Sequence, residues 1–470
     1  MEHNNYDIQI SNVNDYNNTL YDYQREAIER LNEYFNLDCE IPGRNGLLVM
    51  PTGSGKTFTV VNWLLKHCVT RDYQIFWMVH QIELVNQAYN EIRNCISLLK
   101  NSTYHKRKES IRVIPISSDK KGEVPHIHAS DAHDADIYVA SIQSMYSSID
   151  NIKNMISKTG REKLIIVIDE AHHGVSNSYH EVVKRIKSYL NPNSILLGIT
   201  ATPYRMNKSD QGLLEKMYNI ERNRREGRPY NGFIYEVKIS NLIWNGTLST
   251  PIYVPVHTGL EGVNAFSINE DDRKYFQKFK ELSESLLRKM ANNKVRNTTI
   301  VDEYVANKEK YGKTIIFALT QSHANKLRKL LQDKHITCDY VTSNRNRNKK
   351  QNVCQDIIRR FKENDGIDVL VNVNMLIEGS DVPDVQTVFI TRPCNSKTVL
   401  AQMIGRALRG KNAKSKNAHG TETAYVVTFH DIWDSYMSFL DPEDIFSKNN
   451  TNGQDQSNQD DLNGWITECD

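Results

Sequence analysis

The stretch Met50-Pro51-Thr52-Gly53-Ser54-Gly55-Lys56-Thr57 joins a short apolar run, residues 46–50, to residues 59–68, whose apolar positions recur at helical spacing. A Gly/Ser loop between a strand and a helix aims backbone N–H groups and the positive helix end at a polyphosphate. Lys56 is placed to reach the β and γ phosphates and Thr57 to ligate Mg²⁺, while Thr52, Gly53, Ser54 and Gly55 form the cradle. Glycines at 53 and 55 let the backbone approach closely. Met50 departs from the general pattern, which has glycine five residues before Gly55.

Bulk properties leave this reading open. The 470 residues suggest about three domains at the usual domain length, and 39% apolar residues supply substantial cores. Net charge is +2, from 59 basic and 57 acidic side chains, so a nucleic-acid surface must be a local patch. Seven scattered cysteines form no Cys-x-x-Cys pair, which argues against a disulfide framework or a zinc ribbon and for a reducing, cytoplasmic setting. The Asn-rich N-terminus lacks a basic-then-apolar signal, and no apolar run approaches bilayer length, so no membrane association is expected.

Residues 1–17 read as a polar extension. An amphipathic helix then opens at residues 20–28, where the Gln24 carboxamide offers the donor and acceptor that match the adenine N7 and N6 edge. Residues 74–79 read as a buried strand leading to His80-Gln81 and a helix with Leu84, Val85, Ala88 and Ile92 on one face. A strand over 111–116 and another over 137–140 continue the βαβ rhythm. The polar loop with His126, His128, His133 and Asp134 is read as a loop and not as a metal or hydrolase site, with Asp136 a turn residue opening the next strand.

Leu164-Ile165-Ile166-Val167-Ile168 has the pattern of a central parallel strand buried on both faces. It ends in Asp169-Glu170-Ala171-His172. Carboxylates at the mouth of a buried strand suit a Mg²⁺ shell, for Asp169, and activation of an attacking water, for Glu170. The strand over 195–199 ends in Thr200-Ala201-Thr202, hydroxyls near the carboxylate pair. From 206 to 295 the rhythm weakens, with arginines at 222, 224, 225 and 228, strands around 234–244 and 252–256, and a charged helical stretch over 270–290. A second αβ series then carries strands over 314–318, 339–341, 369–371, 387–390 and 424–429, a second doubly wound sheet without a phosphate loop. Arg406 and Arg409, three apart on a predicted helix, share a face and suit one anionic target. Acidic, polar residues 449–470 suggest a mostly disordered tail.

In this order the motifs resemble those of superfamily 2 helicases, of the DEAD/DEAH-box type related to restriction-enzyme Res subunits, over about residues 20–430. The resemblance implies an α/β chain of two tandem RecA-like doubly wound parallel-sheet domains with an ATP cleft between them. It divides the chain into an extension (1–17), an ATP-binding domain (18–250), a linker (251–295), a C-terminal helicase domain (296–435) and an acidic tail (436–470). It implies ATP and Mg²⁺ as cofactors. Gln24 becomes the adenine reader, residues 52–57 motif I, 169–172 motif II with His172 coupling to Thr200 and Thr202 of motif III, and Gln402, Arg406 and Arg409 motif VI, the arginines as fingers. Gly379 and Asp381 fall in motif V, near the ribose. Nucleic-acid contacts map to His80, Gln81, Ser141, Gln143, Thr320 and Asn374, which suit backbone contacts and not base readout. Gln81 stands where relatives often carry arginine and Asn374 where many carry threonine, so a charge-assisted phosphate contact is lost at 81.

Implied is an ATP-dependent helicase or translocase acting on nucleic acid, DNA ahead of RNA. The competing reading is a nucleic-acid-stimulated ATPase, a sensor or motor subunit of a restriction, repair or antiviral defence complex that does not unwind processively. A restriction motor with its own nuclease is weaker, for lack of a nuclease signature.

Overall fold

The computed structural model describes residues 6–15, 19–38, 44–117, 126–157, 163–174, 176–189, 194–202, 208–222, 229–258, 266, 268–342, 349–373, 385–412, 420–431 and 439–443. It divides into two compact units that meet in the sequence between Lys238 and Ile239.

The first unit is built on a sheet whose strands are β1 (Asp7–Gln9), β2 (Asn45–Val49), β3 (Gln74–Val79), β4 (Ser110–Ile116), β5 (Ile137–Ser141), β6 (Leu164–Asp169), β7 (Ile195–Thr200) and β10 (Phe233–Glu236). They lie in the order β1-β4-β5-β3-β6-β7-β2-β10. All pairs are parallel except β1 on β4. A two-stranded ribbon of β8 (Glu221–Arg222) and β9 (Pro229–Asn231) stands apart. Every residue of β3, β6 and β7 is buried, as continuous apolar runs require when helices cover both faces of a parallel sheet. The helix Ile82–Cys95 buries Leu84, Val85, Ala88 and Ile92, the stripe expected of it. Each such Leu, Val or Ile side chain contributes roughly 1.5–3 kcal/mol of hydrophobic stabilisation.

The second unit carries β11 (Thr250–His257), β12 (Thr314–Phe317), β13 (Cys338–Thr342), β14 (Val369–Val373), β15 (Thr387–Ile390) and β16 (Thr423–His430), in the order β11-β16-β15-β12-β14-β13. All its pairs are parallel. The two units are thus tandem RecA-like doubly wound domains. No described helix is long and apolar enough to cross a membrane.

Three segments differ from their sequence reading. Residues expected to be an irregular N-terminal extension include β1, which adds to the sheet edge through Asp7↔Arg112 and Gln9↔Ser110. Within the expected linker, Thr250–His257 pairs with β16 along its whole length and so closes the edge of the second sheet. Residues 239–244, expected as strand, form the helix Ile239–Trp244. In the first two cases pairing with a distant strand decides where the segment belongs. The charged stretch over 270–290 is two helices, Glu270–Phe279 and Glu284–Asn292, because the chain turns at Lys280 with φ of 55°.

Candidate nucleotide site

In the first sheet β2 and β6 both neighbour β7, so the segments leaving these three strands emerge side by side at the carboxyl edge. That is where ligands of open α/β sheets bind. The loop after β2 holds Gly53 at φ 86° and Gly55 at φ 74°, left-handed conformations that a side chain resists. Gly55 then caps the helix Lys56–Trp63. A Cβ on Gly55 also collides with the Gln24 amide nitrogen. Loop and Gln24 are in direct contact: the Gln24 amide and the Tyr23 hydroxyl each donate to the Ser54 carbonyl at 3.0 Å. Gln24 Oε1 accepts from Tyr21 N at 3.0 Å, closing a capping box on the helix Asp22–Phe35. Tyr21 and Tyr23 stack at 5.4 Å between ring centroids, an aromatic surface beside the loop.

Lys56 reaches across to the Glu170 carboxylate, an ion pair whose side chains are 14% and 9% exposed. Glu170 itself sits at φ 52°, a left-handed conformation that is costly for a residue with a Cβ and that recurs where a side chain must be aimed. Its neighbour Asp169 accepts from the Glu170 N–H at 3.0 Å. Burial pushes the Asp169 carboxyl up to about 6, with the Lys56 charge opposing and the Glu170 charge reinforcing that shift. A cation beside Asp169 would offset this desolvation. The Thr57 hydroxyl and the Asp169 carboxylate are hard oxygen donors, the chemistry Mg²⁺ selects. Among the described residues no group of three or more His, Cys, Asp or Glu gathers as a metal cage. A nucleotide-borne Mg²⁺ needs none, since phosphates and water complete its shell.

From Glu170 the network continues inward. His172 Nδ1 lies 3.5 Å from Glu170 Oε2 and 3.0 Å from Thr200 Oγ1. The Thr200 hydroxyl donates to the Thr202 carbonyl at 2.8 Å and accepts from Thr202 N at 3.2 Å. With that proton committed, Thr200 can only accept from the ring, so the hydrogen-bond pattern puts a proton on His172 Nδ1. Lys56, Glu170, His172, Thr200 and Thr202 therefore form one connected chain across three strand ends. His173, which the sequence reading passed over, packs between the rings of His80 and His172 at 4.2 and 4.3 Å. A second histidine directly after Asp-Glu-Ala-His was the available signal.

Ser141 caps the helix Ile142–Ser147, accepting from Ser144 N at 3.3 Å and donating to Ser144 Oγ at 2.8 Å, and is itself buried. Gln143, two residues on, is exposed, and Gln81 precedes the helix Ile82–Cys95 without a side-chain cap bond. His126, in the loop read as chemically idle, lies between Ser117 Oγ at 2.5 Å and Asn86 Oδ1 at 2.6 Å, an internal strut.

In the second unit Thr320 caps the helix Gln321–Asp333, accepting from His323 N at 3.2 Å. Gln402 is 2% exposed in the helix Lys397–Ile404, and neither polar atom of its amide has a hydrogen-bond partner among the described residues. The expectation that Arg406 and Arg409 share a helix face is corrected: the helix ends at Ile404, Arg406 lies in the turn that follows and Arg409 in irregular chain beyond it. The chain is drawn away from helical geometry because Gly410 N donates to Thr247 O at 3.1 Å and Ser249 Oγ donates to Arg409 O at 2.6 Å. Burial of Ala407 and Leu408 fixes the turn. Asn374, Gly379 and Asp381 lie outside the described residues, as do the side chains of the arginines at 222, 224, 225 and 228.

A phosphate loop, a buried Asp-Glu pair and a His-Thr chain on one RecA-like sheet, followed by a second such sheet, define a nucleotide-hydrolysing motor ATPase class. Residues 17–205 match the family model for the type III restriction enzyme res subunit, and residues 296–411 that for the helicase conserved C-terminal domain. The chain carries the paired domains of superfamily 2 helicases, which are ATP-hydrolysing enzymes, and is similar to the restriction-enzyme Res and HsdR type among them. It is 26% identical over 84% of its length to a Saccharomyces cerevisiae protein provisionally named ATP-dependent helicase IRC3, of which it covers 50%. It is 23% identical over 87% of its length to a protein of Sulfolobus islandicus filamentous virus, provisionally named helicase 22, of which it covers 64%. The chain thus spans about half to two thirds of the length of these curated relatives. In fold it is similar to a fragment of a provisionally assigned HsdR subunit of a type I restriction enzyme from Vibrio vulnificus. That likeness has a TM-score of 0.55 at 19% identity, covering 88% of this chain and 65% of that one.

Proposed function

We propose that the protein is an ATP-dependent helicase or translocase that couples hydrolysis at the first sheet's carboxyl edge to movement on nucleic acid, DNA ahead of RNA. The observation that supports it is the connected chain Lys56–Glu170–His172–Thr200–Thr202, which ties the phosphate loop to two further strand ends. A polyphosphate in the loop competes with Glu170 for Lys56, and the released carboxylate then orients and deprotonates the attacking water. Thr57 and Asp169 would hold Mg²⁺, which would supply neutralisation of phosphate charge. Relief of the Glu170 contact is felt at His172 and so at Thr200 and Thr202, a route from hydrolysis to the neighbouring loops. In the second domain Gln402, Arg406 and Arg409 are proposed to stabilise transition-state charge, Gly379 and Asp381 to lie near the ribose, and His80, Gln81, Gln143, Thr320 and Asn374 to meet the polynucleotide backbone.

The scattered cysteines support a cytoplasmic location, and the likeness to restriction-enzyme subunits supports a protein partner in a restriction or defence complex. The test is ATPase activity with single-stranded DNA, duplex DNA, RNA and no polynucleotide, with strand separation on a forked duplex measured alongside. Stimulation by DNA is expected. Absence of stimulation by any polynucleotide contradicts the motor reading, and stimulation without strand separation restricts it to translocation or sensing.

A further inference from the structure

The helix Glu270–Phe279 and the residue after it carry Arg273, Lys274, Lys278 and Lys280, with no acid between 273 and 280. Its acids, Glu270, Asp271 and Asp272, are confined to the first turn, where they favour the helix dipole. Asp272 is buried and accepts from Ser285 Oγ at 2.8 Å, so it takes no part in the outer surface. One face of the helix is anchored: Phe276 packs into a small core with Phe266, Leu282, Leu286, Met290 and Leu319. The other face is not. Tyr275 and Phe279, four residues apart and hence on one stripe, are 39% and 49% exposed, with ring centroids 4.6 Å apart at 45°. Lys278 Nζ stands 5.1 Å from the Phe279 ring centroid.

The position of this helix gives the pattern meaning. Its core partner Leu319 directly precedes Thr320 at the carboxyl end of β12, and Asn395, in the loop after β15, donates to the Lys280 carbonyl at 3.2 Å. The aromatic pair is therefore held at the carboxyl edge of the second sheet, where ligands of such sheets bind. Single exposed aromatics need no explanation, but a ring pair set among lysines matches the stacking-platform design of single-strand binders.

We propose that Tyr275 and Phe279 stack on the bases of single-stranded nucleic acid while Lys278 and Lys280 meet its phosphates, Lys274 being paired with Glu270 at 3.0 Å. This rests on the reading that a polynucleotide is the protein's substrate. Stacking tolerates any sequence because every base has a π face, so this contact adds affinity without sequence preference.

The test uses the full chain and a fluorescent oligothymidylate, an abasic strand of equal length and a blunt duplex, with binding followed by anisotropy. Tyr275→Ala/Phe279→Ala is expected to bind the oligothymidylate at least about fivefold more weakly, with abasic-strand and duplex affinities and ATP turnover without nucleic acid unchanged. Lys278→Gln/Lys280→Gln should instead flatten the salt dependence, by about 0.7 in slope per phosphate contact removed. Unchanged oligothymidylate binding by the aromatic double variant, or equal loss on the abasic strand, overturns the proposal and leaves the motor reading intact. If the unaltered protein binds no polynucleotide, both fail.

Discussion

The carboxyl edges of the two parallel sheets use buried charge in opposite ways. In the first, Lys56 and Glu170 are joined to one another and to His172 at the mouth of a phosphate loop, where a ligand can exchange with either. In the second, Arg296 and Asp431 are both fully buried: Arg296 Nε donates to the two carboxylate oxygens at 2.9 and 3.0 Å and Nη2 to the Thr391 carbonyl at 2.7 Å. Thr258 Oγ1 also donates to Asp431 at 3.0 Å. That cluster pins the ends of β11, β15 and β16 to the helix Lys294–Ala306. Among the described residues of the second unit, the buried Gln402 amide is one of several polar groups without a hydrogen-bond partner. Buried charge thus reports chemistry in one domain and architecture in the other, and only its partners distinguish the two.

Arg409→Ala should lower kcat by about 10³ to 10⁵ if this side chain acts as a charge-stabilising finger, with nucleotide affinity retained. A matching loss of affinity would make it a binding residue. Asp431→Ala should leave Arg296 buried without its counter-charge and cost the second domain about 3–5 kcal/mol, read as an earlier unfolding transition in urea. The first domain's transition should not move. Were both transitions to shift together, the cluster would not be local scaffolding.

The smallest effect is on pH dependence. His323 is buried, accepts from Leu319 N at 3.2 Å and stands 2.9 Å from Asn297 Oδ1, so it is neutral with its proton on Nε2. Burial holds its imidazole well below the ordinary range, with Arg296 and Lys326 adding to the shift. Below about pH 6.5 the unfolded chain binds a proton that the folded domain refuses. Stability of the second domain should therefore fall as pH drops through that value and be fully present above it. His323→Gln should flatten the acid side of this profile, and an unaltered slope would exclude His323 as its source.

The elements that position the first site were legible because their signals are local. The run Leu164–Ile168, the strand at 74–79 and the loop at 50–57 each carry their own pattern, and each strand falls within a residue of its expected bounds. The nearness of the Thr200 and Thr202 hydroxyls to the carboxylate pair was read from the strand ends, and the resemblance to superfamily 2 helicases added His172 to them. What escaped was whatever depends on distant partners. Asp7–Gln9 becomes a strand only because β4 presents an open edge, and the strand read over 252–256 joins the second sheet, not a linker, only because β16 does. The arginines after Ile404 keep helical spacing in the sequence, but hydrogen bonds to Thr247 and Ser249, some 160 residues away, unwind that segment. Arg296 and Asp431, 135 residues apart, show no mutual signal in the chain. Nor does the Ser117–His126–Asn86 strut, whose histidine by residue type alone suits a metal or a hydrolase as well.

The most direct test of the account is nucleotide affinity and single-turnover hydrolysis measured side by side for Lys56→Ala and Glu170→Gln. Lys56→Ala should lose both affinity and turnover, since the lysine holds the phosphates. Glu170→Gln should keep ATP affinity and lose turnover by at least about 10². ATP hydrolysis by Glu170→Gln at the unaltered rate would contradict the assignment of the first sheet's carboxyl edge as the hydrolytic site.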